Sequence, residues 1–383
     1  MIFNKGFMTK IFKAALPIIT LLMSSALSQQ TLAWSGRGHN TICESAVFLV
    51  KEEGLKKFLQ GRGHIMGHLC NVPDIHWKNM GSETNKYGSP AHYIDPEILG
   101  LSIAQVPLNY TEIIKTYTGT KNKFKEGTIF SIPTELGSNW WRADQFFRRA
   151  TSSTERWKNA PIPKGSKEEQ DNQLPFNQLV SEFYINLGLM GHFVGDNGQP
   201  IHLTADYDGY KAGHGGIHAY FEEAVVSALP YDLMSNIVQK GLQLQKDAGG
   251  KNKSKLKNVT FLNEKTVLEK MRALGVLSFA DIPRIYSLDP VIKASILKEE
   301  KGLLIKTPAQ RKDPSTVTAA YEKMIVIEMA RSATLLAQLW DMAYVQVGRP
   351  SLDAYRNYVY PFTPEFVPLD YIPAAESEPS THK

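Results

Sequence analysis

Five residues able to bind a cation, His192, Asp196, His202, His218 and Glu222, lie in one short stretch of this chain and constrain what it can fold into. Two of the pairs, His192/Asp196 and His218/Glu222, are spaced i,i+4, which on a helix sets both side chains on one face, a turn apart. Each pair can then grip a cation from one side. Ahead of them, residues 176–195 carry Leu179, Phe183, Ile185, Leu187 and Met190 at helical spacing, so a helix is expected to deliver His192 at its C-terminal end.

The same periodicity recurs along the chain. Residues 44–60 (Val47, Phe48, Val50, Leu55, Phe58, Leu59), 139–158 (Trp140, Trp141, Phe146, Phe147) and 316–347 (Met324, Ile327, Met329, Leu335, Leu336, Leu339) all predict helices. A further helix is expected over 217–239, with Pro230 kinking or ending it. Residues 117–127 and 246–257 are polar, lysine-rich and loop-like, and the segment around His64 and His68 is glycine-rich and also reads as loop. No run of alternating strands is apparent. The expectation is an all-α fold, one helical bundle domain over 34–350, with a C-terminal extension 351–383 whose end is disordered.

The N-terminus has the order of a secretory signal peptide. Lys5, Lys10 and Lys13 precede an apolar run from Ala14 to about Leu27, and Thr31-Leu32-Ala33 puts small residues at −3 and −1 of a cleavage site. Cleavage there makes Trp34 the mature N-terminus and the protein secreted or periplasmic. Residues 1–33 contain three lysines and no acid, so the net charge of +5 falls to +2, which is no footprint of a dedicated nucleic-acid binder. Cys43 and Cys70 are the only cysteines. In an exported chain one disulfide is the natural reading, with two buried thiols as the alternative.

Further ligand types stand elsewhere in order: His39 soon after Trp34, Asp74 after Pro73, and His92 with Asp95 in Pro90-Ala-His-Tyr-Ile-Asp-Pro96. Imidazole and carboxylate with no thiolate suit zinc in a hydrolytic site, and there are ligands enough for more than one ion.

This ordered series, an N-terminal Trp, His, Asp, His-aromatic-x-Asp, His-x3-Asp-x5-His and His-x3-Glu, resembles the zinc-dependent phospholipase C and single-strand nuclease superfamily over residues 34–222. The resemblance implies a helical bundle with three zinc ions in a cleft. One ion would be held by Asp74, His92, His192 and Asp196, a second by His202, His218 and Glu222, and a third by the α-amino nitrogen and carbonyl of Trp34 with His39 and Asp196. Asp74 would also act as general base or orient the attacking water. His76 and His214, beside implied ligands, are candidates for supporting or substrate contacts.

Glu222, the run His92-Tyr-Ile-Asp95-Pro-Glu97 and the short interval from His202 to His218 are similar to the phospholipase C branch. Gln199-Pro-Ile-His202 and the short interval from Trp34 to His39 are similar to the nucleases, and Ala205 stands where the lipase signature has Asn. Tyr93 and Asp95 fall at substrate-binding positions in either branch, and Trp77, Tyr87 and Tyr93 are the nearest aromatics for a choline cage. The reading adopted is a secreted monomeric phospholipase C acting on phospholipid at a membrane or micelle surface, with a single-strand nuclease or 3′-nucleotidase as the alternative.

Overall fold

The computed structural model describes residues 34–152, 154–300 and 302–373. The signal segment 1–33 and the tail end 374–383, read above as disordered, lie outside the described residues. Those described are mostly helical. The main helices are α1 (Ser35–Leu49), α2 (Gly63–Ile75), α3 (Asn139–Thr151), α4 (Pro175–Asn197), α5 (Leu233–Ala248), α6 (Val267–Phe279) and α7 (Thr318–Gln346). No described helix is long and apolar enough to cross a membrane.

α4 is the axis. Every residue from Asn186 to Asn197 is buried, so this helix is covered on all sides rather than along one stripe. α1, α2, α3 and α7 do the covering. The close approach depends on glycines: a Cβ at Gly191 would lie 2.3 Å from the Cys43 sulfur, and one at Gly195 would lie 2.9 Å from the His39 ring. Cys43 and Cys70 are disulfide-bonded, tying α1 to α2 beside α4.

Several helices differ from the sequence expectation. The 44–60 pattern divides into α1 and a short helix Glu53–Gln60, because the Asp341 carboxylate accepts the N–H groups of Lys51 and Glu52 at the break. The glycine-rich segment read as loop is α2, and it carries Asp74 near its end. Burial of Ile65, Met66, Leu69, Cys70 and Val72 overrides the weak helix propensity of Gly63, Gly67 and Pro73. The 139–158 pattern stops at Thr151 and resumes as a short helix, Thr154–Asn159. The 217–239 pattern is interrupted at Leu229-Pro230, and its first part loosens into a π-helix over Tyr220–Val225.

The body is all-helical as expected, but residues 291–311 are not. They form two antiparallel pairs, β1 (Val291–Lys293) with β4 (Gln310–Arg311) and β2 (Ile296–Glu300) with β3 (Leu303–Thr307). Gly302, at φ 76°, permits the turn between β2 and β3. After α7 the chain runs back without regular helix: Phe366 packs on Trp77 (5.4 Å between ring centroids), and the carbonyls of Pro364 and Val367 accept from Trp77 Nε1 and Arg142.

Candidate metal centre

Six stretches of chain deliver candidate ligands to one buried place. α1 brings His39, the end of α2 brings Asp74, and the short helix Ser89–His92 brings His92. α4 brings His192 and Asp196, and the turn Pro200–Leu203 that follows brings His202. His218 and Glu222 sit either side of the transition into the π-helix. All eight residues are at most 5% exposed.

Asp196 is the hub. Its Oδ1 lies 3.3 Å from His39 Nε2, and its Oδ2 lies 3.0 Å from His92 Nδ1 and 3.2 Å from His192 Nε2. Asp74 Oδ1 lies 3.6 Å from His92 Nδ1 and 3.8 Å from His192 Nε2. Farther along, His218 Nε2 lies 2.8 Å and His202 Nε2 3.5 Å from Glu222 Oε2. Three groups result, each with ligand atoms within 4.8 Å of one another: His39/His192/Asp196, Asp74/His92/His192 and His202/His218/Glu222. Trp34 is fully buried beside them, its indole N–H donating to the Gly195 carbonyl (2.8 Å) and its ring facing Phe221.

Two rings are oriented from behind. His192 Nδ1 donates to the Cys70 carbonyl (2.7 Å) and His202 Nδ1 to the His92 carbonyl (2.9 Å), which turns each Nε2 toward the carboxylates. Gln199 Nε2 donates to Glu222 Oε2 (2.8 Å), and the Asp208 carboxylate accepts the His218 N–H. Other atoms are left over. His39 Nε2, Asp74 Oδ2, Asp196 Oδ1 and Glu222 Oε1 are buried with no hydrogen-bond partner of good geometry among the described residues. Buried polar atoms are rarely orphaned, and oxygen and imidazole nitrogen pointing together are what a divalent cation takes.

The electrostatics agree. Burial would raise the Asp74 carboxyl, but Lys78, His192 and His92 outweigh it and hold it at about 2. Burial likewise opposes ionisation of Asp196, and His192 above all keeps it well below the usual carboxylate range. Burial and Lys78 push the His92 imidazole down to about 3, which leaves it neutral with a lone pair to give. His202 goes the other way: despite burial, the Glu222 carboxylate raises it to about 9.

Lys78 was not foreseen from the sequence. Its Nζ sits 2.5 Å from Asp74 Oδ1, one helical turn on from that residue. Reading 63–75 as a helix would have exposed the i,i+4 relation. Tyr207 is also at the centre, edge-on to the His218 ring at 5.5 Å. Tyr93 donates to the Thr134 carbonyl, and Asp95 is partly buried, its carboxyl raised by desolvation and by Glu97. Trp77 does not serve as a cage residue, since it faces the core against Phe146 and Phe366. His68 stacks on Phe362, and His214 stacks on Tyr286 and pairs with Asp289, so neither joins the ligands.

No protein-family model matches this chain, and no curated protein matches it.

Proposed function

We propose that this chain is a secreted zinc-dependent phosphodiesterase of the phospholipase C type, cleaving the phosphodiester of phospholipids such as phosphatidylcholine. The observation that carries the reading is the Asp196 carboxylate, buried with one oxygen toward His39 and the other toward His92 and His192. A carboxylate facing imidazoles on both sides is suited to bridge two cations.

Asp74, His92, His192 and Asp196 would hold one zinc, His202, His218 and Glu222 a second, and His39 and Asp196 a third, completed by the amino group of Trp34 once the chain is cut after Ala33. Zinc bound there supplies Lewis acidity toward the phosphoryl oxygens and acidifies water. The protein residues do the rest. Asp74, ionised at neutral pH, accepts a hydrogen bond from the attacking water and takes its proton on Oδ2. Lys78 fixes the Asp74 carboxylate and would add positive charge toward a phosphate bound beside it. Water adds to phosphorus, the P–O bond to glycerol breaks, the diacylglycerol oxygen takes a proton from solvent, and Asp74 returns the one it accepted to solvent. Tyr93, Asp95 and Tyr207, the last edge-on to His218, are assigned to the head-group.

The alternative is a single-strand nuclease, favoured by the Gln199-Pro-Ile-His202 run and the short Trp34–His39 interval. The test compares phosphocholine release from phosphatidylcholine micelles with nucleotide release from single-stranded DNA and RNA, with and without chelator. Chelator-sensitive lipid hydrolysis alone supports the phospholipase; chelator-sensitive nucleotide release alone replaces it with the nuclease. Asp74→Asn is expected to abolish either reaction in a folded protein.

A further inference from the structure

The β2–β3 ribbon is rooted on the loop that leads to His218. Gly215 is gripped from both arms: its N–H donates to Ser295 Oγ (3.0 Å), and its carbonyl accepts from the Ala309 N–H (2.9 Å) and from Arg311 (3.1 Å). Arg311 also donates to the His214 carbonyl and forks onto Asp289. Pro308 lies so close to Gly216 that a Cβ there would be 2.7 Å from it. His218 follows directly, so the ribbon's base and the His202/His218/Glu222 group are one connected piece.

Beyond its root the ribbon is bare. Residues opposite each other in an antiparallel pair share a face. Ile296/Thr307, Lys298/Ile305 and Glu300/Leu303 make one face, and Leu297/Lys306 and Glu299/Leu304 the other. Apolar side chains therefore stand on both faces. Leu303 and Leu304, next to the turn, are 70% and 61% exposed, and Ile296 and Leu297 are exposed as well. A two-stranded ribbon is marginal by itself, and bare apolar strands are normally avoided. Docking on a flat protein partner would cover one face only; immersion of the tip in an apolar medium covers both.

Charge names the medium. Residues 291–312 hold Lys293, Lys298, Lys301, Lys306, Arg311 and Lys312 against Glu299 and Glu300, in a chain whose remainder beyond residue 33 is close to neutral. Lys298 reaches Glu300 at 2.8 Å, but both are about half exposed, where such a pair holds little. Leu303 and Leu304 stand opposite Glu300 and Glu299, so these two acids share the tip with them, but the stretch 291–312 keeps a net charge of +4, and exposed apolar side chains on a basic ribbon match the acyl boundary and phosphate layer of an anionic bilayer.

We propose that the β2–β3 ribbon is a membrane anchor: Leu303 and Leu304 enter an anionic phospholipid bilayer and the flanking lysines contact its phosphates, which holds the metal centre at the lipid surface. The anchor rests on the phospholipase reading only for why the centre should face lipid.

The test is flotation of the zinc-loaded protein with vesicles of phosphatidylcholine alone or mixed with phosphatidylserine, in the cold, with lipid composition checked afterwards. The Leu303→Ser/Leu304→Ser variant is compared, its fold verified by circular dichroism and by hydrolysis of a water-soluble phosphodiester. The expected result is flotation with the mixed vesicles, weaker flotation without phosphatidylserine, and at least about tenfold weaker partitioning of the variant. Equal flotation of both proteins overturns the anchor, as does a wild type that ignores vesicles. So does a wild-type dimer that the double substitution converts to monomer, which would make the ribbon a contact between copies. Vesicle binding with no lipid hydrolysis would leave the anchor standing and remove the phospholipase; equal hydrolysis of vesicle lipid by both proteins would do the reverse.

Discussion

Asp196 and His39 meet at 3.3 Å although they come from α4 and α1, and the contact exists because Gly195 leaves room for the imidazole against the α4 backbone. Its other oxygen, 3.0 Å from His92, faces a different group of ligands.

Asp196→Asn should therefore do more damage than loss of a ligand that serves one group. The amide presents one oxygen and one N–H donor, and a donor aimed at a cation repels it. On the proposed three-zinc reading, bound zinc per chain, measured by plasma emission on protein loaded and then desalted, is expected to fall from three toward one, whereas Glu222→Gln should cost one ion. Equal loss in the two variants would show that Asp196 does not bridge.

Gly195→Ala should displace His39 without touching a ligand, because its Cβ would lie 2.9 Å from that ring. The expected outcome is a folded protein in which the zinc site proposed at His39 binds at least about tenfold more weakly, read by competition with a chromogenic chelator. Unchanged stoichiometry and affinity would mean that the helices separate at no cost.

Lys78 is the strongest of the charges that hold Asp74 down. A carboxyl whose folded value is depressed contributes stability that is complete above its unfolded value, here 3.8, and is lost as pH falls through about 2. Lys78→Met should raise the Asp74 value, so acid loss of activity, and of any metal held there, begins at higher pH. An acid limb that does not move would remove Lys78 from the site.

The pairs His192/Asp196 and His218/Glu222 were legible in the sequence because i,i+4 spacing is a local signal, whereas His39, Asp74 and His92 joined them only through the resemblance of the ordered series; α4 was legible because its apolar run is long. α2 was not. Glycines and a proline mask it locally, and only burial against α4 makes it a helix, so the Asp74–Lys78 relation stayed hidden with it. The ribbon was missed for another reason: Ile296-Leu297 and Leu303-Leu304-Ile305 are consecutive apolar residues, apolar on both faces, and do not alternate as a half-buried strand does. The choice between one disulfide and two thiols had to wait for a distance, since spacing carries none.

The Cys43–Cys70 bridge closes a loop with a sequence separation of 27 and holds α2 where the Cys70 carbonyl orients His192. Loop closure of that length is worth about 3–4 kcal/mol. Cys43→Ala/Cys70→Ala should lose about that much in urea unfolding and also bind zinc more weakly; a loss of stability with zinc affinity intact would separate the bridge from the centre.

Lys270 gives the stability of the body a pH dependence that the metal centre does not. Its side chain is 2% exposed, donating to the Leu262 carbonyl and to Gln338, and burial lowers its value from 10.5 to about 8. The folded state therefore disfavours the charged amine. Between about 8 and 10.5 the unfolded chain binds more protons than the folded one, so stability rises with pH across that window and is lost again as pH falls through about 8. Lys270→Met carries no proton and should flatten the slope while melting a few degrees higher than wild type at neutral pH. Parallel slopes for the two proteins between pH 8 and 10 would show that the amine keeps its water in the fold.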